Sequence, residues 1–426
     1  MKDAPRVLEA LAALPGGPEL LAAGERHDDA ALIGGAVRDL LLERPPRELD
    51  VVLSDEVEPL ARELAAELGA EVALHERFGT ALVEWDGGRI DLARRRAERY
   101  PAPGALPEVR PGAAAEDLAR RDFTVNAIAL ALGGERRGSL EGAEHAREDL
   151  AARRLRVLHE RSFLDDPTRL LRLARYRARL GFEIEPGTAR LASEALRSGA
   201  LGTVTPARAG AELRLALGED DAAAALEAAE QLGLLAALHP RLRFDAALAR
   251  RALALLAPAT SARPIRPDVL ALAVLAHALV AGRARAAAAE ARALLDELEI
   301  PAAQRDRALA DACSAATLAA GLAGAATPSQ LQQAARLATL EGVALAGALA
   351  ERDPRLARAG EAAAAWLGGL HAVRLQIGGE DLLAAGVPEG PEIGRRLQAA
   401  LARKLDGELD GGGREAELRA ALEAER

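Results

Sequence analysis

The chain has 426 residues and a formal net charge of −10, and half of its residues are apolar but only 2% aromatic. That length allows two or more domains, the few aromatics favour alanine- and leucine-based helix packing over an aromatic-rich β-sandwich, and the acidic balance argues against a surface coated throughout by nucleic acid. The single cysteine, Cys313, excludes an intrachain disulfide and a cysteine-based zinc site; without a basic-then-apolar leader or an apolar run long enough for a bilayer, a cytoplasmic protein with no membrane association is expected.

In chain order, Ala31–Ile33, Leu49–Leu53, Glu71–Leu74, Thr80–Trp85 and Arg89–Ala93 read as a five-stranded set, with Asp86-Gly87-Gly88 as a hairpin turn. Val37–Glu43 and Val57–Leu68 read as helices among them. Arg94 to Ala115 carries Pro101, Pro103, Pro107 and Pro111 with Gly104 and Gly112, which predicts an extended or mobile loop. From about Asp149 onward strand signals nearly vanish and helical periodicity takes over, broken near Pro186, Pro240, Pro258–Pro267, Pro301 and Pro328. The expected class is α+β: a head over 1–149, an all-helical neck over 150–225, and a helical body and tail over 226–426.

The chemistry begins at Gly34-Gly35-Ala36-Val37-Arg38-Asp39, which is followed after a short spacer by Glu48-Leu49-Asp50. Glycines at a strand-to-helix turn let backbone approach a phosphate, and a helix start offers free N–H groups to an anion. Glu48 and Asp50 point to one face of a strand, because side chains alternate with period two. Two carboxylates on one face beside a phosphate cradle suit a Mg²⁺-dependent phosphoryl-transfer site. Taken alone, the same residues also read as a tight turn and a pair of solvated acids. Farther on, nine arginines against three acids lie between Arg153 and Arg179, in a chain whose only lysines are Lys2 and Lys404. Guanidinium forks phosphate and base edges where ammonium cannot, although a compositional bias toward arginine explains many surface positions equally well.

Three more motifs follow in order: His75-Glu76-Arg77-Phe78-Gly79-Thr80 before a strand pair ending in Ile90-Asp91-Leu92; Arg120-Arg121-Asp122-Phe123-Thr124-Val125-Asn126-Ala127; and Ser162-Phe163-Leu164-Asp165-Asp166-Pro167-Thr168-Arg169, continuing through Arg172 and Arg175 to Leu180-Gly181-Phe182. Over roughly residues 31–182 these resemble the class II tRNA nucleotidyltransferase and bacterial poly(A) polymerase family, whose head is polymerase-β-like. Near the end, Ile377-Gly378-Gly379-Glu380-Asp381-Leu382 and Gly390-Pro391-Glu392-Ile393-Gly394 are similar to the tail of many bacterial CCA-adding enzymes.

The resemblance implies that Gly34, Gly35, Arg38 and Arg121 hold a nucleotide's triphosphate. It also implies that Glu48 and Asp50 hold Mg²⁺, with Asp91 either a third catalytic carboxylate or an ordinary strand-end aspartate. Asp122 and Asn126 are expected to anchor their loop or contact the sugar. Family members usually carry aspartate at both metal positions; here the first is Glu48, whose extra methylene moves the carboxylate by about 1.5 Å. Leu140-Glu141-Gly142 stands where the family commonly has an Asp-Pro-Gly-Gly-like turn.

Asp166, Arg169, Arg172 and Arg175 are spaced by three and form a slowly drifting row on a helix. Aspartate accepts from the amine of cytosine or adenine, and arginine donates to their ring acceptors. Uracil and guanine present the opposite groups, at a cost of roughly 1–3 kcal/mol for each one left unpaired. The bland alternative makes Asp166 an N-cap before Pro167, with the arginines a solvated face. The activity implied is template-independent addition of CCA to tRNA from CTP and ATP. A CC-adding, A-adding or poly(A)-adding enzyme, and a non-catalytic RNA-binding relative, are the alternatives. The expected partners are tRNA, CTP and ATP, with no obligate protein partner.

Overall fold

In the computed structural model, which describes residues 4–75, 79–259, 264–282, 286–409 and 412–424, all five predicted strands enter one sheet. They are β1 (Ala31–Ile33), β2 (Leu49–Leu53), β3 (Glu71–His75), β4 (Thr80–Trp85) and β5 (Gly88–Arg94). The sheet extends to seven strands in the order β3-β4-β5-β2-β1-β8-β9, where β8 is Ile128–Ala131 and β9 is Leu140–Gly142. The two added strands escape the sequence reading for physical reasons. Ile-Ala-Leu-Ala shows no polar alternation because it is covered on both faces, and β9 is a three-residue edge carrying a glycine. β9 occupies the segment that departs from the family's turn.

Helix α3 (Gly35–Leu41) begins two residues earlier than its apolar pattern suggests, so Gly34 alone makes the turn, at φ 74. Helix α4 (Glu58–Leu68) has a proline in its first turn and ends on Gly69 in the left-handed conformation. Val51 and Leu53 of β2 are buried, as are Leu60 and Leu64 of α4, whereas Val52 joins Ala31, Ile33, Ala127, Ala129 and Leu118 in a separate cluster. Leu118 belongs to α5 (Ala114–Ala119). Because strand side chains alternate, Asp50 shares the face of Val52 and therefore the side covered by α5.

The segment expected to be an extended or mobile loop, Arg94 to Ala115, includes a short hairpin, with β6 (Arg96–Arg99) antiparallel to β7 (Glu108–Pro111). Its prolines sit in the connection and at the end of the second strand, where no ladder donor is required. Arg96 and Glu98 meet Asp117 and Arg120 beneath it. The predicted helical neck also carries one two-residue parallel ladder, Arg154–Leu155 with Glu183–Ile184. Of the motif His75–Thr80, residues 76–78 lie outside the described residues.

The chain divides into two units, Met1–Thr205 and Pro206–Arg426. In the second, the described residues form helices and turns. Helix Pro267–Val280 is apolar all round, with Val269 to Ala276 continuously buried, and it packs on Ala302–Gly324. Gly347 lets helix Leu340–Ala348 approach its neighbour so closely that a Cβ there would lie 2.4 Å from the Ala363 methyl. A polar cluster is enclosed here. Asp311 Oδ1 accepts from Thr339 Oγ1 at 2.8 Å, while its Oδ2 is buried without a hydrogen bond. Glu341 accepts from the Arg266 N–H at 2.8 Å and Arg307 Nη2 at 2.6 Å. Burial pushes the Asp311 carboxyl up to about 6, with Glu341 adding to the rise and the Thr339 hydrogen bond and Arg307 opposing it. Helices Gly379–Ala384, Pro391–Leu405 and Gly413–Glu423 close a small core of their own around Leu382, Ala400 and Ala421. Among the described residues no helix is long and apolar enough to cross a membrane.

Candidate active site

Strand β1 ends against α3 in a turn that only glycine makes easily. Gly34 has φ 74 and ψ −131, and a Cβ there would lie 2.6 Å from Arg121 Nη1. The Arg121 guanidinium therefore rests directly on the glycine turn. It donates to Asp117 Oδ2 at 3.3 Å, and its Nε is buried with no hydrogen bond among the described residues. Burial holds Arg121 below the usual arginine range, with Asp117 and Asp50 opposing. Since α3 has only seven residues, the attraction for an anion here rests on this guanidinium more than on a helix dipole.

The carboxylates come together through strand pairing. β2 and β5 run parallel with Asp50 opposite Asp91, and Glu48 lies just before β2. Arg89 is paired with Glu48 and stands 3.3 Å from Asp91 Oδ2. Burial pushes Asp50 up to about 6, helped by Glu48 and Asp91 and opposed by Arg121 and Arg89. Asp91 is likewise raised, by burial first, then by Glu48 and Glu84 against Arg89. Two paired aspartates that burial and the nearby Glu48 carboxylate push toward the neutral form suit a hard divalent cation. The buried Asp91 Oδ2 accepts no hydrogen bond and has only the Arg89 guanidinium nearby, so it is an oxygen donor for which a cation would compete with Arg89. Among the described residues no three such side chains already converge as a cage, and Glu48 is paired with Arg89.

Arg38 is 1% exposed, and its donors are largely taken. Nε and Nη2 donate to Asp39 at 2.8 and 2.9 Å, Nη1 donates to Asn126 Oδ1, and the guanidinium lies 5.4 Å from the Tyr176 ring. It shapes the floor of the cradle beside Gly35. Asp122 accepts from the Phe123 N–H at 2.8 Å and Asn126 Nδ2 at 2.9 Å, anchoring the turn Thr124–Asn126. Although burial pushes Asp122 up, Arg172 and the Asn126 hydrogen bond hold it below the usual carboxylate range.

The arginine row lies on α8 (Thr168–Leu180). Asp166 Oδ1 accepts from the Thr168 N–H at 3.1 Å and its hydroxyl at 2.6 Å, so it caps that helix. Arg169 is 3% exposed, Arg172 reaches Asp122 at 3.7 Å, and Arg175 lies 4.8 Å from the Tyr176 ring. The sequence reading overlooked Arg89, Asp117 and Tyr176. Arg89 was detectable, since Arg89-Ile90-Asp91 places both charges on one strand face. Nothing in the sequence alone marks Asp117, which grips Arg120 at 2.7 Å and Arg121 at 3.3 Å from a fully buried position, or Tyr176, whose ring lies beside both Arg38 and Arg175.

Residues 30–156 match the poly(A) polymerase head domain family. The A-adding tRNA nucleotidyltransferase of Halalkalibacterium halodurans is 40% identical over 212 residues, 49% of each chain. The CC-adding tRNA nucleotidyltransferase of Deinococcus radiodurans is 41% identical over 192 residues, 45% of this chain and 50% of that one. The chain thus spans about half the length of these curated relatives. In fold, the Thermotoga maritima CCA-adding enzyme complexed with tRNA is similar over 99% of this chain and 98% of that one, with a TM-score of 0.74 and 25% identity. Residues 30–156 thus match the poly(A) polymerase head domain, and over its whole length the chain is similar in fold to CCA-adding enzymes.

Proposed function

We propose that the protein adds CCA to the 3′ end of tRNA from CTP and ATP, without a nucleic-acid template and with release of pyrophosphate. The observation that carries this reading is Arg121, seated on the Gly34 turn with a buried donor to spare and lying within electrostatic reach of Asp50. That arrangement offers a triphosphate a cation and a close-approaching backbone beside an acidic pair. Glu48 and Asp50, with Asp91 beside them, would hold Mg²⁺, which would supply Lewis-acid activation of the primer 3′-hydroxyl and charge neutralisation of the leaving pyrophosphate. Arg121 neutralises phosphate charge, and Gly34 and Gly35 leave room for it. Asp166 and Arg169 select the base by accepting from its amine and donating to its ring acceptor, with Arg172 and Arg175 supporting nucleotide binding. In this reading residues 1–149 carry the chemistry, 150–225 choose the nucleotide, and 226–426 grip the acceptor half of tRNA by shape and phosphate contacts.

A second reading, a partial enzyme that adds only CC or only A, is favoured by the names of the two relatives at about 40% identity. Extension of tRNA transcripts lacking CCA, CA or the final A, with CTP, ATP or both, separates the two. Growth of the first transcript to full CCA supports the first reading. Arrest after CC, or addition of A only to the CC-ended transcript, supports the second. Absence of extension despite CTP binding overturns both.

A further inference from the structure

Ser162 opens the short helix α7 (Ser162–Asp165), seven residues ahead of Arg169, and is fully buried. The N-cap of this helix is Arg161, which makes no side-chain cap bond, and Ser162 is the first helical residue. Its Oγ accepts from Arg169 Nη1 at 2.7 Å. Asp166, extended at φ −130 and ψ 92, and Pro167 break the helix between them and let the two side chains face each other. The other terminal nitrogen of Arg169, Nη2, donates to the Arg120 carbonyl. Arg120 is itself immobilised: its guanidinium donates to Asp117 at 2.9 and 2.7 Å and to Glu98 at 3.1 Å.

We propose that Ser162, with the Arg120 carbonyl, is a positioning residue for base choice, locking the Arg169 guanidinium in the rotamer that presents its remaining N–H groups to the incoming base. The inference rests on the reading of Arg169 as the residue that donates to the base. Each terminal nitrogen carries two hydrogens, so one fixed acceptor on each leaves one donor on each for a ligand. Two acceptors on two nitrogens set both the side-chain torsions and the guanidinium plane. Neither acceptor is charged, so these two bonds do not themselves neutralise the guanidinium, although the Asp122 carboxylate lies within electrostatic reach. Discrimination between bases depends on leaving the wrong base unpaired, and that requires a donor unable to swing aside. Ser162 thereby acts on specificity through Arg169 without touching the nucleotide.

The test uses the full chain and compares kcat/KM for CTP and UTP on tRNA lacking CCA, and for ATP and GTP on tRNA ending in CC, in wild type, Ser162→Ala, Ser162→Thr and Arg169→Ala. Ser162→Ala is expected to lower discrimination of CTP over UTP and ATP over GTP roughly tenfold. The loss falls mainly on KM for the correct nucleotides, with tRNA affinity unchanged. Ser162→Thr, which keeps the hydroxyl, restores most of the discrimination. Wild-type discrimination in Ser162→Ala alongside its loss in Arg169→Ala overturns the inference and leaves the reading of Arg169 standing. Equal losses in Ser162→Ala and Ser162→Thr also overturn it, as a packing defect. Wild-type discrimination in Arg169→Ala overturns the reading of Arg169 itself.

Discussion

Replacing Gly34 with alanine tests the cradle at its tightest point. The backbone there, at φ 74 and ψ −131, lies where residues with a Cβ rarely sit, a strain of about 1–3 kcal/mol. The new Cβ would also stand 2.6 Å from Arg121 Nη1, so the guanidinium must retreat by about 1 Å to reach ordinary contact. A displacement of that size at a reacting centre costs on the order of a hundredfold in rate. The expected outcome is a kcat/KM for nucleotide addition lower by about 100-fold, with a fall in melting temperature of several degrees from the backbone strain. If alanine acts by pushing Arg121 away, most of the catalytic loss should vanish in an Arg121→Ala background, while the loss of melting temperature stays. Single-nucleotide extension kinetics and thermal melts of the four proteins of that double-mutant cycle give the coupling directly. Fully additive catalytic losses would refute the idea that Arg121 works by resting on the glycine turn.

Other parts of the molecule make independent predictions. Asp311 has a carboxyl moved from 3.8 to about 6 on folding, worth about 3 kcal/mol. Because the folded state holds its proton more tightly, this group's contribution to stability is fully present below pH 3.8 and is lost as pH rises through about 6. Asp311→Asn should therefore stabilise the protein by up to about 3 kcal/mol at pH 7.5 and scarcely at all near pH 4; denaturant melts at both values check this, and destabilisation at pH 7.5 contradicts it. Arg89→Gln removes the cation paired with Glu48 and near Asp91. Such half-exposed pairs are worth about 0.2–1 kcal/mol, so the half-saturating Mg²⁺ concentration in extension assays should fall by up to about fivefold, and a higher requirement would count against a metal at Glu48 and Asp50. Asn126→Ala removes the acceptor of Arg38 Nη1 and a donor to Asp122. It should weaken CTP and ATP binding together, by about tenfold for one lost buried hydrogen bond to a charged group, without altering the choice between bases; equilibrium binding of all four nucleotides decides the point.

The site was legible in the sequence wherever its chemistry is local. The glycine turn, the one-face pair Glu48 and Asp50, and the run from Asp166 to Arg175 each lie within a few residues, and strand or helix periodicity alone groups them. Burial was not legible. Arg38 and Arg121 both follow motif positions and both are arginines, yet Arg38 is forked by Asp39 and Asn126 whereas Arg121 keeps a donor to spare. The difference comes from which carboxylates and amides other segments bring near, and those lie far off in sequence. The strand pairing within the proline-rich segment was not legible, because proline counts against strands although it is tolerated where no ladder donor is needed.

Composition and period settled that this chain has an α/β head followed by helices, and they marked most of the residues around which the site is built. Tertiary structure decided three further things: the parallel pairing that sets Asp50 opposite Asp91, the addition of β8 and β9 to the sheet, and the seating of Arg169 between Ser162 and the Arg120 carbonyl. The reason is one of range. Backbone sterics and side-chain alternation act over one or two turns of chain and are written in the local order of residues. Strand register, burial and the raised carboxyl of Asp50 arise from groups distant in sequence, which come within a few ångströms only when the whole unit has closed around them.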